Sequence, residues 1–161
     1  MKDCKNLTIE ECELFNLRQS VDKIEKIVKK EKINSPEITK IFKIVENFIK
    51  KRKVMCYGGT AINNILPEKE QFYDRSIELP DYDFFSKTPI KHCKELADIF
   101  YKNGYVHTEA KAGFHSGTFK VFVNFIPIAD ITYFPEKLFN KVWKERLIKK
   151  NISYVPPNFL R

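Results

Sequence analysis

Three short stretches of this sequence carry residue types that could do chemistry together: Gly58-Gly59-Thr60, Asp81-Tyr82-Asp83 and Asp130. A Gly-Gly pair between a strand and a helix lets a ligand approach the backbone without a side chain in the way. The helix behind it offers unpaired N–H groups and a positive dipole end, a seat for phosphate oxygens, and Thr60 adds a hydroxyl. On a strand, residues two apart point the same way, so Asp81 and Asp83 share a side. Two adjacent carboxylates repel unless a cation or water neutralises them. A divalent magnesium-type ion with oxygen ligands does this well. Asp130 interrupts the apolar run Phe125-Ile126-Pro127-Ile128-Ala129-Asp130-Ile131, where an uncompensated charge is costly.

Each stretch alone has a plain reading: a strand-to-helix turn, a solvated strand end and a strand-edge acid. Taken together and in this order, they describe a site for nucleotidyl transfer. Three carboxylates on neighbouring strands can place two metal ions that hold the attacking and leaving oxygens of an in-line displacement. The glycine turn would hold the outer phosphates of a nucleotide and leave its α-phosphate open to attack. Such catalysis asks the protein for position and electrostatics more than for covalent help.

Those residues need elements to position them. Val21, Ile24, Ile27 and Val28 recur at helical spacing. A second helix starts at Ser35 as cap, Pro36 in the first turn and Glu37 at the dipole, with the stripe Ile38, Ile41, Phe42, Val45, Phe48 and Ile49. It ends in Lys50-Lys51-Arg52-Lys53. Val54 to Tyr57 reads as a strand, and Ala61 to Leu66 as a short helix capped by Thr60. The polar stretch from Pro67 to Pro80 reads as a loop, and Tyr82 to Ser86 as a strand. A helix then runs from Thr88-Pro89 to Gly104. Tyr105 to Thr108 is expected to be a strand and Gly113 to Gly117 a turn. Thr118 to Phe125 is expected to be a strand with Phe119, Val121, Val123 and Phe125 on one face. Pro127 marks a break before a strand from Ile128 to Phe134, and Pro135 opens a helix carrying Leu138, Phe139, Val142, Trp143 and Leu147. The fold class is therefore α+β, a mixed sheet with flanking helices. Residues 1–52 form an N-terminal helical segment, 53–150 the catalytic domain and 151–161 a connector.

Bulk properties agree with a protein that works inside a cell. At 161 residues, 43% hydrophobic and 31% charged, the chain suits one globular domain with a real core. No apolar run is long enough to cross a bilayer, and the charged start Met1-Lys2-Asp3-Cys4-Lys5 lacks the apolar stretch of a signal peptide. Cys4, Cys12, Cys56 and Cys93 have no zinc spacing and are expected to be free thiols, the last two buried. The net charge of +8 favours a polyanionic partner once phosphate chemistry is in view.

The motifs resemble a known family. Gly58-Gly59-Thr60, Asp81-Tyr82-Asp83 and Asp130 are similar to the signature of the polymerase beta-like nucleotidyltransferase superfamily. More narrowly, Tyr57 to Asn63, Leu79 to Ser86 and Tyr154 to Arg161 resemble the poly(A) polymerase catalytic subunits of large cytoplasmic DNA viruses, a resemblance spanning residues 54 to 161. It implies ATP as substrate, an RNA 3′ end as acceptor and Mg2+ or Mn2+ as cofactor. It also implies Asp81, Asp83 and Asp130 as catalytic metal ligands, with Asp130 closest to the attacking hydroxyl, and Gly58, Gly59 and Thr60 as nucleotide-binding residues. A processivity subunit or second copy would be a partner, and the host cytoplasm or virion the place of action. The viral enzymes continue into helical regions beyond the point corresponding to Arg161, so the connector is expected to lead to a region this sequence lacks.

Two other functions fit the same residues: a nucleotidyltransferase acting on protein, tRNA or a small molecule, and a retired catalytic domain kept as an RNA-binding scaffold. His92, His107 and His115 read as surface or loop histidines. Lys120 alternates with the apolar face of its strand and reads as solvated, with a phosphate as its other partner. Trp143 reads as core. The clusters Lys50 to Lys53 and Lys137 to Lys150 are candidate RNA-backbone contacts against a default of solvated helix faces.

Overall fold

The computed structural model describes residues 8–33, 35–74 and 78–160, so Met1–Lys5, Cys4 among them, and Arg161 of the C-terminal motif lie outside it, as does the side chain of Val28. α1 (Ile9–Ile33) and α2 (Pro36–Lys51) open the chain. Ser35 caps α2 by accepting the Ile38 amide at 3.2 Å, a bond worth about 1 kcal/mol. All six stripe residues of α2 are buried, each such burial contributing roughly 1.5–3 kcal/mol. α2 thus packs into the same core as the sheet. α1 behaves otherwise: Val21, Ile24 and Ile27 remain exposed, Ile24 at 61%. Their helical spacing gave the helix but not a buried face, because no described element covers that side.

A seven-stranded mixed sheet follows, with β1 (Met55–Tyr57), β2 (Tyr82–Ser86), β3 (Thr108–Ala112), β4 (Thr118–Val123), β5 (Ile126–Tyr133), β6 (Leu147–Lys149) and β7 (Ile152–Tyr154). Their spatial order is β3-β4-β5-β2-β1-β7-β6. β1–β7 and β2–β5 are parallel and the remaining pairs antiparallel. α3 (Gly58–Ile65) follows β1, α4 (Pro89–Lys102) follows β2, and α5 (Glu136–Glu145) follows β5. Phe84, Val121, Val123, Ile131, Leu96 and Phe100 fill the main core under α2 and α4. A smaller cluster of Met55, Phe139, Val142 and Val155 lies under α5.

Several local expectations change. Phe125 leaves its strand face: Asn124 and Phe125 form a two-residue turn with φ of 48° and 64°, and Phe125 is 74% exposed. Such left-handed pairs match the twist of the flanking strands. Pro127 does not break β5, because it sits opposite the β4 irregularity at Val121/Phe122, where a missing N–H is tolerated. Leu147 belongs to β6 rather than α5, and a second left-handed pair, Lys150 and Asn151, turns the chain into β7. The expected connector therefore includes a strand that pairs parallel with β1, burying Ile152 and Tyr154. The strand expected at Tyr105 to Thr108 begins at Thr108 instead. β3 is an exposed edge whose Thr-Glu-Ala-Lys-Ala sequence has no apolar alternation to betray it. Cys56 and Cys93 are free and buried, whereas Cys12 is disulfide-bonded, against the expectation of free thiols. Cys12 lies on α1, away from the cores that enclose Cys56 and Cys93.

Candidate active site

Sheet register assembles the site. Tyr57 on β1 is opposite Asp83 on β2, Asp83 opposite Asp130 on β5, and Asp130 opposite Lys120 on β4. Residues directly opposite across a ladder project to the same face, on strands roughly 4.8 Å apart. Tyr57, Asp83, Asp130 and Lys120 therefore form one row across four strands, on the face away from α2 and α4. Asp81 joins it from just before β2, where its amide donates to Thr60 Oγ1 at 3.2 Å. The next row on that face is Met55, Phe85, Thr132 and Thr118. Its hydroxyls form a chain: Thr118 to Thr132 at 2.9 Å and Thr132 to Tyr57 at 2.8 Å. Tyr57 also stacks on Phe85 at 3.9 Å between ring centroids, which fixes the wall beside the carboxylates.

The electrostatics follow from this crowding. Burial, with Asp81 and Asp130 adding to it, pushes the Asp83 carboxyl up to about 7, against a pull downward from Lys120. Asp81 is raised by desolvation and then by Asp130, again opposed by Lys120. Burial, opposed by the Thr132 hydrogen bond, raises the Tyr57 hydroxyl. Lys120 Nζ pairs with Asp130 Oδ2. The other oxygen, Asp130 Oδ1, is buried without a hydrogen-bond partner. Among the described residues no group of three or more His, Cys, Asp and Glu side chains is placed to hold a metal ion. The donor set still fits a hard divalent cation: like-charged oxygen ligands repel one another, and one buried carboxylate oxygen lacks a partner.

The glycine turn serves the site in two ways. Gly58 has φ of +77°, and a Cβ there would collide with the Asp83 carboxylate. Only glycine lets the start of α3 approach that acid so closely. Gly59 is bare for another reason, since a Cβ would meet the Tyr73 hydroxyl. Thr60 does not cap a helix beginning after it: α3 starts at Gly58, and the buried Thr60 hydroxyl accepts the Asp81 amide. Thr60 thus holds the backbone at Asp81. The Tyr57 to Asn63 motif contains Asn63 without showing its role: its buried side chain accepts the amides of Phe72 at 2.8 Å and Tyr73 at 3.0 Å. It pins the loop that lies over Gly59. An asparagine in a short apolar helix was the available signal.

Residues 43–161 match the family model for the poly(A) polymerase catalytic subunit. The chain belongs to the poly(A) polymerase catalytic subunit family. A relative of that description from African swine fever virus (strain Badajoz 1971 Vero-adapted) is 33% identical over 142 residues, covering 88% of this chain and 30% of its own. One from Acanthamoeba polyphaga mimivirus is 32% identical over 123 residues, covering 74% of this chain and 20% of its own. The crystal structure of the Megavirus polyadenylate synthase superimposes with a TM-score of 0.77 at 27% identity, covering 99% of this chain and 33% of that one. The chain thus spans about a third or less of the length of these relatives. The fold is the nucleotidyltransferase fold of the viral polyadenylate synthase, in agreement with the α+β expectation.

Within this poly(A) polymerase family chain the lesser residues sort by position. His92 is not a surface histidine: it lies half-buried on α4, bonds Ser86 Oγ at 2.8 Å and meets the Phe48 ring edge-on. Burial holds it below its usual range. His107 and His115 are exposed. Trp143 is half-buried over the smaller core, stacked on Phe139, with Arg146 and Lys53 over its ring. Among the described residues no helix is long and apolar enough to cross a membrane.

Proposed function

We propose that this chain is the nucleotidyltransferase domain of a template-independent poly(A) polymerase, transferring AMP from ATP to an RNA 3′ end. The observation that carries the reading is the row Asp83–Asp130 with Asp81 beside it, set against the glycine start of α3. Gly58 and the first amides of α3 would cradle the outer phosphates of ATP, where the helix dipole favours negative charge. Asp81, Asp83 and Asp130 would hold the divalent cations, Mg2+ or Mn2+, with Asp130 nearest the attacking 3′ hydroxyl. Bound there, such cations supply the positive charge that steadies the attacking and leaving oxygens of an in-line displacement. Tyr57, held by Thr132 and Phe85, keeps the wall of the site rigid beside Asp83. The RNA would reach the site along the lysine-bearing surfaces. The place of action we infer is the host cytoplasm, with a second subunit or copy supplying processivity, in keeping with the viral relatives and their description as catalytic subunits.

The test is incubation with labelled ATP, a divalent cation, and RNA and protein acceptors in separate tubes. Label on RNA that disappears in Asp81→Ala and Asp83→Ala, with both variants folded, supports the reading. Label only on protein moves the acceptor class, and retained activity in both variants removes the metal-ligand assignment. A scaffold without activity would show no joint thermal shift with ATP and Mg2+.

A further inference from the structure

Lys120 answers to none of the roles given so far. It sits directly opposite Asp130 on the adjoining strand and reaches that acid's outer oxygen, while the inner oxygen Oδ1 is buried and unpartnered. Its side chain is 35% exposed and that of Asp130 15%, so the ammonium has a route out and the carboxylate does not. Lys111, the next residue along the same row, is committed elsewhere: it pairs with Glu109 at 2.8 Å and lies over the Phe122 ring at 4.3 Å. We propose that Lys120 is a built-in stand-in cation, holding Asp130 while the carboxylate cluster carries no metal and yielding it when a divalent cation binds.

This inference rests on the reading of Asp81, Asp83 and Asp130 as a cation site. Its physical basis is competition for one oxygen. A buried carboxylate needs a positive partner. An ammonium on a flexible four-carbon stem, a compact point charge, can swing away where a bidentate guanidinium would hold on. Lys120 therefore stabilises the metal-free protein and opposes metal entry, the two effects sharing one contact.

Mn2+ binding, followed by the loss of the free-ion electron paramagnetic resonance signal, separates the possibilities. Lys120→Met is expected to bind Mn2+ about threefold to tenfold more tightly than the parent protein, the scale of one partly exposed ion pair. In chelator the same variant melts lower, and its gain in Tm on adding Mn2+ is larger. Lys120→Gln, which keeps a hydrogen bond to Asp130 without the charge, gives the same tightening should the Met variant not fold. Lys120→Arg binds Mn2+ no more tightly than the parent. Unchanged or weaker binding in the neutral variants, with binding lost in Asp83→Asn, overturns the stand-in role alone. Equal binding in the parent and Asp83→Asn overturns the cation site itself, and this inference with it.

Discussion

Replacing Asp83 by its neutral isostere should make the metal-free protein more stable while abolishing its activity. Asp83 is a partly exposed carboxyl pushed from its ordinary 3.8 to about 7 by burial first and by Asp81 and Asp130 after it. Every tenfold change in proton affinity corresponds to about 1.4 kcal/mol, so ionised Asp83 would cost the fold about 4 kcal/mol at face value. Solvent at the open side of the site eases both the desolvation and the repulsion, which brings the expected gain of Asp83→Asn to about 1–2 kcal/mol. For a domain of this size that is about 3–6 °C in Tm. Because the folded pKa lies above the unfolded one, the stabilisation from a protonated Asp83 is complete below about pH 4 and is lost as pH rises through about 7. The advantage of the Asn variant should be greatest near pH 8 and fade toward pH 4. The assay is thermal or urea unfolding in chelator across that range, repeated with Mg2+, which should stabilise the parent and not the variant. An Asn variant that is equally or less stable than the parent at pH 8 in chelator would show that neither burial nor the neighbouring acids penalise ionised Asp83.

Other outcomes follow from single contacts. Gly58→Ala forces a Cβ into the Asp83 carboxylate at a φ of +77°, and should cost about 1–3 kcal/mol with loss of nucleotidyl transfer, read by unfolding and by labelled ATP. Asn63→Ala strips the acceptor from the amides of Phe72 and Tyr73, and should cost about 1–3 kcal/mol while raising protease cutting between residues 67 and 80. Asp130→Asn should remove transfer to RNA without unfolding the protein, checked by circular dichroism beside the activity assay.

The fold class and the residues proposed for the site were legible because their signals are local. The α2 stripe and its Ser35-Pro36-Glu37 start are written in consecutive residues, and so are the Gly-Gly turn and the Asp-x-Asp spacing. The segments that misled lacked a local signature or had a misleading one. β3 is an exposed edge with no apolar alternation, and β7 is three residues long in a stretch dominated by Pro156-Pro157. Phe125 looked like strand because it is apolar, but the turn it shares with Asn124 is set by the pairing of β4 with β5.

Composition and order in the chain determined that three acids and a glycine turn exist, and that strands would carry the acids, although Asp81 proves to lie just before β2. They could not determine which strands lie side by side, because hydrogen-bond pairing between distant segments is decided by the whole sheet packing against α2 and α4. That pairing alone puts Asp83, Asp130 and Lys120 in one row, gives Thr60 to the Asp81 amide and leaves Asp130 Oδ1 without a partner. A carboxylate's charge is a property of its residue, but its cost depends on which neighbours the folded chain brings within reach.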